Sequence, residues 1–367
     1  MTTELGRTTG SGADGPLLSL DEIVSLSDVE ALAEQRLSAA VLAYYLGGAG
    51  DEHTLRENRA AFDRYRLLPR ISEGGLVSTA TTLLGTEVSM PVGIAPSAAH
   101  ALACPEGELA TAGAARSARA MYCASSSSSR PVEEIAAAAG DAWWYQCYPA
   151  SGAAGIGRAA ELGYKALVLT ADVPVAGHRD REFRGQRADP GHPLYRGTWT
   201  YTHPGADLSA NMARTRVTWP DIRRLIAAAD IPVIVKGILA ADDAAKAVQA
   251  GAAAVWVSNH GARQLDRAPA TISVLREIVD TVGAAAEVYV DGGFRRGTDV
   301  AIALALGARA VFVGRPAVMG LAAGGQHGAT VVLEQLRKEL VNTMYMLGVG
   351  SPAELGRRCV TSGHPTG

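Results

Sequence analysis

Residues able to move protons or hold charge recur at one kind of place in this chain, the end of a short apolar run. Those ends carry Pro96, Ser97 and Ala98, then Ser125, Gln146 with Tyr148, Thr170 with Asp172, Lys236, His260, Asp291 with Gly292 and Gly293, and Gly314 with Arg315. Taken singly, each has an ordinary explanation: His260 fits a satisfied loop histidine, Asp172 a helix N-cap, Lys236 a snorkelling surface lysine. Gathered at one rim, they would converge on a common cavity, which is the geometry of an active site. A second cluster points to a phosphate-bearing ligand. VDGGFRRGTDV combines glycines that expose backbone N–H groups with Arg295 and Arg296, and VGRP adds Gly314 and Arg315. Backbone amides near a helix start, joined by guanidinium forks, bind phosphate; a tight turn with solvated arginines is the plainer alternative.

The elements that must position these residues are eight apolar runs: VGIAP (92–96), MYCASS (121–126), WWYQCY (143–148), ALVLTAD (166–172), PVIVKG (232–237), AVWVSN (254–259), VYVDGG (288–293) and AVFVGRP (310–316). Each is followed by a turn and an Ala/Leu-rich helical stretch. Strands apolar on both faces and separated by helices are what a helix-covered parallel sheet requires. Eight such units predict an α/β protein with a closed (β/α)8, or TIM, barrel, whose chemistry sits at the C-terminal ends of the strands and whose phosphate sites follow strands seven and eight. Before the barrel, LSLDEIVSLSDVEALAEQRLSAAVLAYYLGG has helix-period apolar positions and is expected to form an N-terminal helical cap ending at Gly47 and Gly48. The even spacing breaks after the fourth strand, where a long polar segment at about 184–216, with Tyr195, Trp199 and Tyr201, is expected to be an active-site lid. Residues 1–16 are expected to be a flexible leader, and 17–367 a single domain.

Composition narrows the class. The 367 residues are 48% hydrophobic and 19% charged, enough for a large core and far from the bias of disordered chains. A net charge of −3 offers no broad cationic face for nucleic acid or an anionic membrane. Cys104, Cys123, Cys147 and Cys359 lie far apart with no C-x-x-C pair, so no metal site and no disulfide framework are expected. Reduced thiols and a leader without an apolar stretch suggest a cytoplasmic protein.

The blocks SNHGARQLDRAPATI, VYVDGGFRRGTDVAIALALGARAVFVGRP, LTADVP, IAPSAAHALACPEGE and YYLGGAGDEHTLRENRAAF resemble the FMN-dependent 2-hydroxy acid oxidase and dehydrogenase family, to which glycolate, lactate and mandelate oxidases belong. The resemblance covers roughly residues 20–350. It implies bound FMN and oxidation of an L-2-hydroxy acid to the 2-oxo acid, with oxygen as the expected electron acceptor and a dehydrogenase using another acceptor as the alternative. By position, His260 is similar to the family's catalytic base and Asp172 to the carboxylate that steadies its imidazolium. Arg179 and Arg263 resemble the pair that grips the substrate carboxylate, Tyr44 and Tyr148 the hydroxyl donors that orient it, and Lys236 the lysine beside flavin N1. Pro96, Ser97, Ala98, Ser125, Gln146 and Thr170 resemble isoalloxazine contacts. Asp291, Gly293, Arg295, Gly314 and Arg315 resemble ribose and phosphate contacts. The family also implies a homo-oligomer, a tetramer or octamer.

Departures from the family pattern bear on the substrate. Ser127 stands where glycolate oxidase-like members carry an aromatic ring, Ala99 is small where several relatives are bulkier, Cys104 replaces a histidine, and His178 replaces an arginine just before Arg179. The open wall favours an aryl or extended acid, while the Ala98-Ala99-His100 string resembles lactate oxidase and leaves a small acid open. The polar 184–216 segment favours the soluble branch over the membrane-bound dehydrogenases. Two rivals remain: another FMN barrel, such as a type 2 isopentenyl diphosphate isomerase or an inosine monophosphate dehydrogenase-like protein, and a catalytically silent barrel that only binds.

Overall fold

A computed structural model describes residues 19–71, 75–149, 156–189 and 217–363. All eight expected runs are strands: β1 (Val92–Ile94), β2 (Tyr122–Ser125), β3 (Trp143–Cys147), β4 (Leu167–Thr170), β5 (Val233–Ile238), β6 (Ala254–Val257), β7 (Glu287–Asp291) and β8 (Ala310–Val313). Each pairs in parallel with the next, and β8 pairs with β1 through Val311 beside Val92, which closes the barrel. The (β/α)8 expectation is met.

Side chains alternate between the faces of a strand, and the sequence uses both faces. On β3, Trp143 points outward against Tyr164, with ring centres 5.3 Å apart, while Trp144 points into the barrel. Trp144, Trp256, Tyr289 and Phe312 fill the interior, the last two strands' rings reaching within 5.7 Å of each other and Trp256 within 4.1 Å of Phe312. Truncating one of these rings to alanine is worth about 3–5 kcal/mol. A hairpin of Thr81–Leu83 and Thr86–Val88 plugs the N-terminal end of the barrel with Leu83 and Val88. The Leu84 N–H donates to Glu287 at the start of β7, 3.2 Å, and Arg309 donates to the Thr82 carbonyl, 2.8 Å. With that end closed, the C-terminal rim is left for chemistry.

The N-terminal cap is two helices and a 3-10 turn where the periodicity suggests one stretch. After a 3-10 turn at Leu20–Glu22 come α1 (Leu26–Arg36) and α2 (Ala39–Leu46). The break falls at Leu37, where the chain becomes extended, and the Ser38 hydroxyl accepts the Val41 N–H to start α2. The helix stops at Gly47, as expected. α1 rests on the long helix Arg315–Met346, while α2 carries Tyr44 and Tyr45 to the rim. α3 (His53–Ala60) follows. The segment expected to be a loop from about 184 begins later, because Asp180–Ala188 forms a helix, α4. Residues 190–216, with Tyr195, Trp199 and Tyr201, lie outside the described residues, as does the leader 1–16. Among the described residues no helix is long and apolar enough to cross a membrane.

Candidate active site

One cavity opens at the C-terminal rim, and every strand contributes to its wall. Pro96, Ser97 and Ala98 come from the end of β1, Ser125 and Ser127 from β2, Gln146 and Tyr148 from β3, Thr170 from β4, and Lys236 from β5. His260 and Arg263 follow β6, Asp291, Gly293 and Arg295 follow β7, and Gly314 and Arg315 follow β8. Tyr44 from α2 and Arg179 from the turn before α4 complete it. Asp172 sits just behind the wall. The departures noted in the sequence divide: Ser127 lines the cavity, whereas Ala99 is buried without lining it. His178 is exposed and pairs with Asp180 at 3.1 Å, and Cys104 donates to Glu106 at 2.7 Å, so neither borders the site.

The imidazole Nδ1 of His260 lies 3.1 Å from Oδ1 of Asp172, leaving Nε2 toward the cavity. Burial opposes the charge on Asp172, but His260 and Lys236 outweigh it and hold the carboxyl below the ordinary aspartate value. Lys236 is buried too; burial would lower its pKa, yet Asp291, 3.3 Å away, and Asp172 keep it above that of a free lysine. The two carboxylates thus favour the ammonium form of Lys236 in the barrel mouth. Ser258 links these groups, accepting from Lys236 Nζ at 2.8 Å, donating to Asp291 Oδ1 at 2.8 Å and accepting the His260 N–H at 3.1 Å. Across β2, β3 and β4 runs a polar row in which Ser125 donates to Gln146 at 3.2 Å and Gln146 to Thr170 at 3.0 Å.

The two arginines expected to grip a carboxylate stand together. Arg263 donates to the carbonyls of Tyr44, 2.5 Å, and Gly47, 3.0 Å, at the C-terminal end of α2, and its guanidinium lies 5.1 Å from the centre of the Tyr44 ring. Arg179 Nη1 pairs with Glu182 at 2.9 Å. Burial, and then the neighbouring Arg179 charge, bring the pKa of Arg263 down to about 10. Burial raises that of the Tyr44 phenol.

Beside Arg263, the pKa of Arg315 is brought down to about 9 by burial and by the charges of Arg263, Arg295 and Arg181. Its guanidinium donates to the carbonyls of Tyr45, Gly261 and Gly47 at 2.8, 2.8 and 2.9 Å. Three of its five N–H donors are therefore spent on the chain. In the loop after β7, the backbone amides of Arg295 and Arg296 both donate to Asp299, at 2.9 and 3.0 Å. Gly293 must be glycine: with φ +87°, a Cβ there would stand 2.0 Å from the Asn58 carbonyl oxygen.

These elements recur in known proteins. A family model described as FMN-dependent dehydrogenase matches residues 33–362. The chain belongs to this family. It is 44% identical over 346 residues to a peroxisomal (S)-2-hydroxy-acid oxidase of Oryza sativa subsp. japonica, covering 91% of this chain and 94% of the relative. It is 40% identical over 358 residues to an L-lactate oxidase of Nostoc sp., covering 90% and 96%. A crystal structure of mandelate oxidase with (S)-4-hydroxymandelic acid superposes with a TM-score of 0.83 at 39% identity, covering 92% of this chain and 98% of that one. The protein is an FMN-dependent oxidoreductase acting on 2-hydroxy acids.

The residues present suit FMN. Arg263, Arg295 and Arg315 crowd the rim closely enough that the charges of the first two depress the pKa of the third, and a phosphate would relieve that repulsion. The polar row of Ser125, Gln146 and Thr170 faces the cavity beside the Lys236 ammonium, which suits a heterocycle rich in acceptors. The sequence reading missed Ser258, Asn259, Asn58, Gly237 and Glu182. Asn259 and Asn58 exchange side-chain hydrogen bonds, 2.8 and 3.1 Å, and Asn259 also accepts the Ala262 N–H at 3.0 Å. That clasp holds His260 and Ala262 at left-handed φ of 57° and 62°. Ser258 and Asn259 were legible as neighbours of His260 in one block; Asn58, 201 positions away, carried no local signal.

Proposed function

We propose that the chain oxidises an (S)-2-hydroxy acid to the 2-oxo acid with His260 as the base, and that its substrate is larger than glycolate, an aryl or extended acid of the mandelate kind. The observation that carries this reading is the His260–Asp172 pair, 3.1 Å, whose histidine lines the same cavity as two arginines. Bound FMN supplies the two-electron acceptor that no side chain can provide. Arg179 and Arg263 offer a two-pronged match to the substrate carboxylate and fix its orientation. Tyr44 and Tyr148 orient the substrate through their hydroxyls. His260 Nε2 takes a proton from HO–Cα–H, and Asp172 stabilises the imidazolium that results. Lys236 would supply a positive charge to the bound flavin from the cavity wall. Pro96, Ser97, Ala98, Ser125, Gln146 and Thr170 would hold the isoalloxazine, and Asp291, Gly293, Arg295, Gly314 and Arg315 the ribose and phosphate.

The larger substrate rests on Ser127, whose short side chain lines the cavity, and on the likeness to a mandelate oxidase holding (S)-4-hydroxymandelic acid. A lactate-sized acid is the second reading, favoured by the likeness to an L-lactate oxidase. Oxygen as acceptor follows from the oxidase relatives. We read residues 17–367 as one FMN-binding domain in a homo-oligomer, to which the exposed Ile71, Leu76, Tyr345 and Met346 would contribute. A cytoplasmic site agrees with the four free cysteines, although the plant relatives are named peroxisomal. The test is an anaerobic screen of mandelate, lactate and glycolate against the flavin absorbance, followed by admission of oxygen. Bleaching fastest with mandelate and rapid recovery in air are expected. Fastest bleaching with lactate would move the reading to the small acid, slow recovery in air would indicate a dehydrogenase, and a flavin that no 2-hydroxy acid bleaches would indicate a silent barrel.

A further inference from the structure

Between the two arginines lies a carboxylate that belongs to the chain. Glu182, in the first turn of α4, is buried, with Oε2 2.9 Å from Nη1 of Arg179 and 3.6 Å from Nη2 of Arg263. It does not line the cavity, whereas both arginines do. A buried guanidinium pair repels itself, and one internal carboxylate reduces two positive charges to a net of one. On the other side of the site, Asp172 places a further negative charge behind His260. The cavity wall around Ser127 and Ala98, which would face the rest of the substrate, contributes no cation from those residues.

We propose that Glu182 is a specificity-determining residue: it sets the charge of the arginine pair so that the site accepts one substrate carboxylate and rejects acids that carry a second. This rests on the reading of Arg179 and Arg263 as the carboxylate grip. A monocarboxylate leaves the group neutral. A dicarboxylate adds a second anion after Glu182 and the first carboxylate have already matched the charges of Arg179 and Arg263, so the arginine pair has no surplus positive charge left to meet it. Without Glu182 the pair has a surplus positive charge for the second carboxylate, and the discrimination falls.

The FMN-loaded enzyme is titrated with 2-oxopentanoate and 2-oxoglutarate, which differ by a terminal carboxylate, and dissociation constants are read from the flavin difference spectrum. The kcat/KM values of the corresponding 2-hydroxy acids are measured beside them. Wild type should bind 2-oxopentanoate about tenfold or more tightly than 2-oxoglutarate; equal or reversed affinities would overturn the proposal without any variant. Glu182→Gln should close that gap by about fivefold or more, chiefly through KM, while Glu182→Asp keeps it. A gap unchanged in Glu182→Gln would reduce Glu182 to a structural ion pair. Arg179→Lys and Arg263→Lys separate the two ideas, since neither ammonium reproduces a two-pronged grip. If both bind 2-oxopentanoate as wild type does, the grip itself is wrong and the proposal goes with it; if both weaken it while Glu182→Gln changes nothing, only the role of Glu182 falls.

Discussion

The carboxylate of Asp172 occupies the space that a side chain at Gly237 would fill: a Cβ there would stand 2.5 Å from both Cβ and Cγ of Asp172. Gly237 is one residue past Lys236 in β5, at φ +101°, where the pairing of β5 with β6 slips. The irregularity in β5 lets Asp172, two residues past the end of β4, reach across it to the histidine after β6.

Gly237→Ala should therefore cost about 1–3 kcal/mol, from a positive φ and a collision with a group that is itself fixed. It should also push Asp172 off His260. A lower melting temperature together with slower flavin reduction is expected; a loss of stability with normal reduction would show that Asp172 tolerates displacement.

His260→Ala should keep FMN and fold and slow flavin reduction by about 10²–10⁴-fold, the contribution of a positioned base. Stopped-flow reduction under anaerobic conditions measures this directly. Near-normal reduction in the variant would remove His260 from the reaction.

Asp172→Asn keeps the shape and removes the charge that stabilises the imidazolium, so reduction should slow on the order of 10²-fold. A pH signature accompanies it. The Asp172 carboxyl is held below its ordinary value in the folded protein, so its contribution to stability is fully present above about pH 3.9 and is lost as pH falls through the lowered value. The gap in melting temperature between wild type and variant should shrink below about pH 4; a constant gap would contradict the shift.

Ser127→Trp should refill the open wall, collide with bulky acids and leave glycolate or lactate room to bind. Each methylene-sized loss of fit is worth about 1–3 kcal/mol, so relative kcat/KM should move toward small acids by about tenfold or more. An unchanged mandelate-to-lactate ratio would mean that this wall does not set substrate size.

The eight strands, their order and the rim residues were legible in the sequence because they depend on local rules. Apolar runs such as ALVLT and AVWVS declare strands buried on both faces, and the first polar residue after each run must lie at the end of a strand. Most of the candidate site could thus be assembled from runs and turns, with Gly47 ending α2 as its position suggests. Only the closed barrel decided how those residues are spent. Asp299 takes the amides of Arg295 and Arg296; Arg263 and Arg315 cap the terminal carbonyls of α2; Ala99 lies behind the wall while Ser127 lines it; Glu182 lies between the two arginines. Each of these depends on partners brought together by closure, often from positions far apart, as with Asn58 and Asn259. A hydrogen-bond donor or a charge can be read from residue type, but which acceptor it meets is a property of the packed interior, where unpaired polar groups are costly and nearly every one must find a partner.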